Sequence, residues 1–262
     1  MVNKFSRLSV LGKSLGELSF NRTKLVGDKG TTKVAELSIN HSLDKILINP
    51  QAGFNFNQVF EAPLKLVNGY VSAGTARNNF SGVRVATIGG ELLSPSDSKQ
   101  DDFSEEEFDA VFVSGKDKHA VGKVRSADAF DKKKLVLVST NGNIATDRGQ
   151  AVLDDNGDTI ITNYSLSFIE EDKPLDEDNE IRILVSPENY EIVKPLMKYG
   201  AKLVPQNLKF AFVGNQLTDW TIYAETLVPV DQQTTQNVPN GKQVEQQTDK
   251  NQSSGEQKGK KN

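Results

Sequence analysis

The 262-residue sequence contains no cysteine, two histidines and one tryptophan. The absence of cysteine excludes disulfides, thiolate metal sites and cysteine nucleophiles. No apolar run approaches the ~18 residues that a membrane span requires. Residues 1–20 alternate apolar and polar side chains and lack the unbroken apolar core of a signal peptide. We therefore expect a cytoplasmic protein with no membrane partner.

Enzyme signatures are also missing. Residues 12–14 (Gly-Lys-Ser) resemble the end of a phosphate-binding loop, but Arg7 stands where that motif requires glycine. Residues 154–158 resemble a calcium loop without its later glycine and glutamate. Neither His41 nor His119 has an acidic or hydroxyl residue nearby that would complete a nucleophile set. We predict a protein without catalytic residues, cofactor or metal; a hydrolase that uses carboxylates is the alternative.

One part of the sequence occurs twice. Residues 46–50 (Ile-Leu-Ile-Asn-Pro) correspond to residues 183–187 (Ile-Leu-Val-Ser-Pro), and a Lys-Leu-Val segment follows each, at 65–67 and 202–204. The step from proline to lysine is 15 residues in both copies. Each copy then continues to an aromatic residue and an alanine: Phe80 and Ala86, or Trp220 and Ala224. Such an internal repeat predicts two related units in tandem.

Short apolar runs separated by glycine, asparagine and proline are typical of a meandering β structure. We predict a mainly β fold made of two tandem small β-barrel or β-sandwich modules, for which an OB-like barrel is one form. One or two short helices and a disordered C-terminal tail complete it. The predicted domains are a first module, an acidic linker with a short helix, a second module and a polar tail: residues 1–93, 94–110, 111–230 and 231–262.

Local signals mark several elements. Ser104 and Glu107 form a capping-box pattern, which predicts a short acidic helix. Ser186, followed by proline, predicts the start of a second helix. The Asn-Gly pair within residues 155–158 predicts a hairpin turn. Residues 170–180 are an acidic insertion that we interpret as an exposed loop.

Charge is distributed unevenly along the chain. Residues 1–95 hold 11 basic and 6 acidic residues, whereas residues 96–110 hold 1 and 7. The first module therefore has a net charge of +5 within a chain of net charge −4. A local basic surface can bind a polyanion even when the whole protein is acidic. An ordinary solvated surface is the alternative interpretation of the same residues.

Basic and aromatic residues are mixed along the first module. Single-stranded nucleic acid is commonly held in this way, with cations along the phosphates and bases stacked on exposed rings. Among the aromatics we expect Phe54 and Phe56 to be the most exposed; a place in the core is the alternative for such residues. The predicted nucleic-acid-binding residues are Arg22, Lys24, Lys33, Phe54, Phe56, Lys65, Tyr70, Arg77, Phe80 and Arg84.

The first module resembles the YdcP/HelP-type proteins of Gram-positive conjugative elements. The resemblance covers residues 10–93 and, more faintly, 183–228. The order of its segments carries it: residues 15–20 (Leu-Gly-Glu-Leu-Ser-Phe), residues 48–50 with Gly53 and Phe60, residues 64–68 (Leu-Lys-Leu-Val-Asn), and Phe80 with Ala86. Members of that family usually hold one such unit, so the second copy, the linker and the tail depart from the family pattern.

The resemblance implies a non-enzymatic accessory factor for the replication or transfer of mobile-element DNA, which supports processive unwinding by a host helicase. The leading hypothesis is a protein that binds single-stranded DNA, a partner protein, or both. The expected partner protein is a helicase or another replication or transfer protein. A protein-interaction or assembly component of a phage or plasmid, without DNA binding, is the second hypothesis. The sequence leaves the oligomeric state open.

Overall fold

The computed structural model describes residues 7–27, 30–40, 45–77, 84–113, 120–130, 134–174, 179–212 and 220–230, with side chains for all but 72–77, 84–87, 120–121 and 212. Within these residues the chain forms seventeen strands and one α-helix. They are β1 Arg7–Val10, β2 Leu18–Val26, β3 Thr32–Ile39, β4 Lys45–Pro50, β5 Pro63–Arg77, β6 Arg84–Leu93, β7 Ala110–Val113, β8 Ala120–Val124, β9 Leu135–Ile144, β10 Thr146–Asp147, β11 Gln150–Ala151, β12 Ile161–Glu170, β13 Ile181–Val185, α1 Pro187–Val193, β14 Leu203–Gln206, β15 Lys209–Phe212, β16 Trp220–Tyr223 and β17 Thr226–Pro229.

The first unit contains a closed barrel. Its five described strands follow the order β2-β3-β4-β6-β5, and β2 closes the ring by pairing with β5 at Leu18 and Leu64. Strands β4 and β6 run parallel, with Ile48 opposite Ile88, whereas the other pairs are antiparallel. Numbered within the barrel, this order is 1-2-3-5-4, the Greek-key arrangement of an OB-type barrel. The predicted mainly β fold with a small barrel is confirmed, and the strand order is the one expected of its OB-like form.

The barrel interior follows from the alternation of side chains along each strand. Alternate residues in the middle of β3 and β4, namely Ala35, Leu37, Ile46 and Ile48, are apolar and buried in the core. Phe20 of β2 contributes an aromatic ring to this core. Because consecutive residues point to opposite faces, the residues between them, Val34, Glu36 and Leu47, lie on the outer wall, where they too are buried.

The second unit repeats this strand order. Strands β9-β12-β13-β16-β15 are neighbours in the same sequence, and β13 and β16 pair in parallel at Ile183 and Ile222. Its fourth strand is divided into β14 and β15 by Asn207, which has a φ of 51°. Helix α1 lies between the third and fourth strands, where the first unit has an irregular loop.

The two copies of the sequence repeat occupy equivalent positions in these units. The Ile-Leu-Ile and Ile-Leu-Val segments form β4 and β13, the third strand of each unit. The Lys-Leu-Val segments lie at the start of the fourth strands. Each pairs with the last part of the unit: Leu66 with Leu92 of β6, and Leu203 with Pro229 of β17. The repeat in the sequence therefore corresponds to a repeated strand topology in the structure.

A continuous sheet joins the two units. Strand β1 pairs with β5 of the first unit, and β8 meets β1 at Val10 and Val124. Strand β8 pairs with β7, which lies parallel to β15 of the second unit. Buried side chains from both units form one hydrophobic cluster. Strand β1 and the β7–β8 hairpin together therefore bridge the two fourth strands.

The segment between the units is attached to the barrel wall. Lys65 Nζ donates to the carbonyl oxygens of Asp97 and Lys99. The backbone amide of Asn68 donates to Asp101 at 2.6 Å. Instead of a helix through residue 111, the chain makes one 3-10 turn, Glu105–Glu107, before β7 begins. The segment is therefore a strap along β5.

The predicted capping signals are present. Ser104 forms the capping box, because its backbone amide donates to Glu107 Oε2 at 3.0 Å. Ser186 caps α1 by accepting from the amide of Asn189 at 3.2 Å. The predicted hairpin turn is present, and the Gly157 amide donates to the Asp154 carbonyl oxygen at 3.0 Å. It is not of type I′, because Gly157 has a φ of 84° but Asn156 lacks the positive φ that this type also requires. The predicted disordered tail, residues 231–262, lies outside the described residues.

Gly12 provides a test of how the bridging region packs. It begins the 3-10 turn Gly12–Leu15, and a Cβ at this position would lie 1.9 Å from the Leu66 carbonyl oxygen. Since a backbone atom cannot yield locally, Gly12→Ala is expected to lower the free energy of unfolding by about 3 kcal/mol. Gly53→Ala is the control: it meets no atom within 4 Å, but its φ of 99° costs about 1–2 kcal/mol. Urea denaturation of both variants measures the difference, and equal losses would contradict this packing.

Within the described residues, no helix has the length and apolar character needed to cross a bilayer.

Candidate functional site

A β-bulge in β2 shapes the outer wall of the first barrel. The register of β2 against β3 shifts between Phe20 and Arg22, so that Asn21 and Arg22 together oppose Glu36. A bulge of this kind turns two consecutive side chains toward the same partner residue. Both Asn21 and Arg22 accordingly donate to Glu36 Oε1.

Three cations surround the Glu36 carboxylate. Arg22 Nε lies 3.0 Å from Oε1, Lys24 Nζ 3.2 Å from Oε2, and Lys45 Nζ 3.8 Å from Oε1. Glu36 itself is 3% exposed, whereas the three cationic side chains reach solvent. We call Arg22, Lys24, Lys45 and Glu36 the cation cluster; it carries a net charge of +2.

Glu36 holds the cluster together. Burial alone would raise the pKa of this carboxyl group, but hydrogen bonds from Arg22, Lys24 and Asn21 outweigh burial and lower it. Glu36 is therefore ionised at neutral pH and fixes the positions of the surrounding cations. Because a buried charge is costly without partners, the three cations and Asn21 are also structural requirements of this wall.

The cation cluster lies on the outer face of the first three barrel strands. In OB-type barrels this face, with the loop between strands 1 and 2 and the loop between strands 4 and 5, binds oligonucleotides and oligosaccharides. In this protein the loop between strands 4 and 5 belongs to the hairpin that joins β5 to β6, in which Arg77 pairs with Arg84. The side chains of both arginines, and the whole of Phe80, lie outside the described part of the structure. Two predicted residues, Arg22 and Lys24, are thus brought together.

Lys33 is not part of this cluster. It shares a side of β3 with Ala35 and Leu37, which face the barrel interior, whereas Glu36 lies on the other side. Lys33 sits at the exposed end of the strand, opposite Leu25. The structure therefore separates Lys33 from Arg22 and Lys24, because alternation along β3 places Lys33 on the opposite side from Glu36, which binds both of these residues.

Phe54 and Phe56 pack against the core instead of projecting from it. Both are half-buried, and their rings meet edge to face with centroids 5.1 Å apart. In the same loop Phe60 is 64% exposed. The prediction that Phe54 and Phe56 are the most exposed aromatic residues is therefore wrong. Contacts with the core bury part of both rings, and Phe60 is the more exposed ring of this loop.

Two further predicted residues have local partners. The ammonium group of Lys65 is held by carbonyl oxygens of the strap and lines a cleft of about 1190 Å³ between the strap and the barrel. The Tyr70 ring packs closely against Gly89, and the Arg7 guanidinium lies over the ring, 3.4 Å from its centroid. Such a cation–π contact occupies the ring face that a base would use.

The matching face of the second unit is nearly neutral. Leu47 and Leu184 are equivalent positions of the sequence repeat. Glu36 lies opposite Leu47 and Ser165 lies opposite Leu184, so Ser165 takes the place of Glu36 in the second unit. In the same register Asn141 takes the place of Arg22, and Asn143 that of Lys24. Only the position of Lys45 keeps a cation, Arg182. The two units therefore share a topology but differ in the charge of this face.

Sequence reasoning missed Lys45 and Glu36. The available signal was Glu36 itself, a single carboxylate within the run Val-Ala-Glu-Leu at 34–37, flanked by apolar residues that belong in a barrel wall. A buried charge of this kind requires cationic partners on the adjacent strands. The next strand supplies Lys45, which pairs with Ser38, two residues after Glu36. His41 and His119 lie outside the described residues.

Comparison of the chain with protein-family models, with curated proteins and with solved structures finds no match.

Proposed function

We propose that the first unit binds single-stranded DNA across the outer face of β2, β3 and β4. The observation that carries this proposal is the cation cluster, which collects Arg22, Lys24 and Lys45 on the face that holds oligonucleotides in OB-type barrels. The topology alone would not suffice, because one fold supports many functions. The charge on this particular face gives the proposal its chemistry.

Three solvent-accessible cations can contact successive phosphates of one strand. Such contacts favour a polyanion of any sequence, since phosphates carry no base information. Phe60 is an exposed ring close to this wall, because the amide of the next residue, Glu61, donates to the Phe20 carbonyl oxygen of β2 at 2.7 Å. A base stacked on such a ring contributes ~1–3 kcal/mol. Cations and ring together suit an unpaired strand whose bases are accessible.

The broader role is that of a non-enzymatic accessory protein in mobile-element DNA processing. The resemblance of residues 10–93 to proteins of conjugative elements motivates it, and the proposed DNA face is compatible with it. A helicase or another replication or transfer protein is the proposed second partner. The neutral face of the second unit supports a division of labour in which that unit contacts protein instead of DNA.

Titration of a fluorescent single-stranded oligonucleotide at 50 and 200 mM salt tests the DNA proposal. Three phosphate contacts predict that log K falls with log[salt] with a slope of about −2, so affinity drops roughly 20-fold between these conditions. A forked duplex serves as a second probe. Absence of binding to both probes at low salt would remove the DNA proposal and leave the protein-assembly hypothesis, which predicts a stable complex without salt-dependent DNA binding.

A further inference from the structure

The continuous sheet has one open edge. Its order runs from β2 to β9, and β2 is closed by β5, whereas β9 pairs along its length with β12 only. On its other side β9 has contacts at its beginning: an isolated bridge between Val136 and Lys202, and hydrogen bonds of Leu137 with Gly200 and Ala201 at 2.8 and 2.9 Å. Within the described residues, the rest of that side, from Val138 to Asn143, has no backbone partner.

A bulge determines which backbone groups face this opening. Leu137 directs its amide and carbonyl away from β12, toward Ala201 and Gly200. The register shift at Val138 then reverses the alternation, so that Ser139, Asn141 and Asn143 face β12. Thr162 Oγ1 donates to the Asn143 carbonyl oxygen at 3.0 Å, in agreement with this direction. Thr140 and Gly142 therefore present their amides and carbonyls to the open side.

The composition of this edge is unusual for an unpaired strand. Proteins commonly protect such edges with lysine, other charges or proline. Residues 138–144 (Val-Ser-Thr-Asn-Gly-Asn-Ile) hold none of these, although 25% of the whole chain is charged. An uncharged edge meets a second copy of itself without electrostatic repulsion, even though the protein as a whole carries a net charge of −4.

Exposed apolar side chains adjoin the end of the edge. Ile144, Leu153 and Ile160 are 50%, 55% and 38% exposed. The Ala145 amide donates to the Ile160 carbonyl oxygen at 2.8 Å, which keeps the first and last of these close together. In an antiparallel pairing of two β9 strands about Asn141, Ile144 of one copy comes opposite Val138 of the other. A second copy would thus cover apolar surface as well as the open edge.

We propose that two copies of the chain associate through antiparallel pairing of their β9 strands, with the two-fold axis at Asn141. Thr140 of one subunit pairs with Gly142 of the partner subunit and the reverse, which forms four backbone hydrogen bonds. An isologous contact of this kind closes on itself and produces a dimer instead of a filament. The dimer holds two cation clusters in one particle. The proposal does not depend on DNA binding.

Light scattering coupled to size exclusion tests the oligomeric state of the full chain without DNA. Wild type is expected at twice the chain mass of 28.8 kDa. Thr140→Pro removes the amide that the partner requires while the amides that face β12 remain, so it is expected at the single-chain mass. Thr140→Ser keeps the amide and is expected to remain dimeric. A wild-type protein that stays monomeric up to 100 μM, or a Thr140→Pro variant that folds and stays dimeric, would overturn the proposal.

Site-directed cross-linking keeps the proposal testable if Thr140→Pro does not fold. Because the chain has no cysteine, Asn141→Cys introduces a single thiol at the proposed axis. Two residues opposite each other in a non-hydrogen-bonded antiparallel pair have Cα atoms ~4.5 Å apart, within disulfide range. Mild oxidation is expected to convert at least ten times more of this variant to disulfide-linked dimer than of Asn156→Cys, at the exposed hairpin turn. Equal conversion of the two variants would contradict pairing through β9.

Discussion

Replacing Arg22, Lys24 and Lys45 by alanine together is expected to weaken single-stranded DNA binding by about 100-fold at 50 mM salt. The physical basis is the loss of three phosphate contacts, each taken as about 1 kcal/mol. Because the remaining affinity no longer includes the release of their counterions, the slope of log K against log[salt] falls toward zero. Anisotropy titrations at several salt concentrations measure both quantities.

Folding has to be separated from binding in this experiment, because the triple substitution leaves Glu36 buried without its cationic partners. Adding Glu36→Gln to the triple variant removes that stranded charge, and the same loss of affinity is expected. The matched control replaces Lys173, Lys194 and Lys209, which pair with exposed or partly exposed carboxylates in the second unit. This control removes the same net charge and is expected to bind DNA within about twofold of wild type. Equal losses in both triple variants would mean that overall charge, and not the cation cluster, drives binding.

Much of the fold could be predicted because its signals are local or repeated. The caps at Ser104 and Ser186 satisfy backbone amides within the next few residues, so adjacent sequence is enough to recognise them. The paired Ile-Leu-Ile and Ile-Leu-Val segments indicated two related units, and they occupy the same strand in each. Local pattern could not indicate that β1 and β8 join the units, because that bridge connects residues far apart in the chain.

The candidate site could be predicted only in part, for a similar reason. Arg22 and Lys24 were found by their charge, but which side chains meet on a barrel wall depends on register. The bulge at Asn21 and the pairing of Ser38 with Lys45 determine that arrangement, and neither has a sequence signature. Exposure is equally non-local: Phe54 packs against the core through contacts that its own loop does not specify.

The unpredicted Glu36 also provides the test that best distinguishes a binding face from an ordinary ion-pair network. Glu36→Gln keeps the shape of the side chain but raises the net charge of the cation cluster from +2 to +3. If the face binds DNA, the loss of a carboxylate beneath the phosphates is expected to tighten binding about fivefold, an effect on the order of 1 kcal/mol. Few substitutions of a buried charged residue improve a function, so an increase in affinity would be specific to this geometry.

The same substitution is expected to reduce stability in a pH-dependent manner. The pKa of Glu36 in the folded protein lies below its ordinary value near 4.5, so the ionised form favours folding. This contribution is fully present above the unfolded pKa and is lost as the pH falls through the folded pKa. Glu36→Gln is therefore expected to lower the free energy of unfolding by about 1–3 kcal/mol at pH 7. The gap to wild type should narrow as the pH falls below the ordinary pKa of 4.5 and through the lower folded pKa.

Glu225→Gln is the matched control for both measurements. Glu225 also accepts hydrogen bonds from a lysine and an asparagine, Lys209 and Asn207, which lower its pKa, but it is solvent-exposed and lies in the second unit. Its substitution is expected to leave DNA affinity unchanged and to alter stability only slightly, because water screens an exposed ion pair. If Glu36→Gln lost stability but bound DNA no more tightly than Glu225→Gln, the cation cluster would be a structural element of the barrel wall, and the DNA face would have to lie elsewhere.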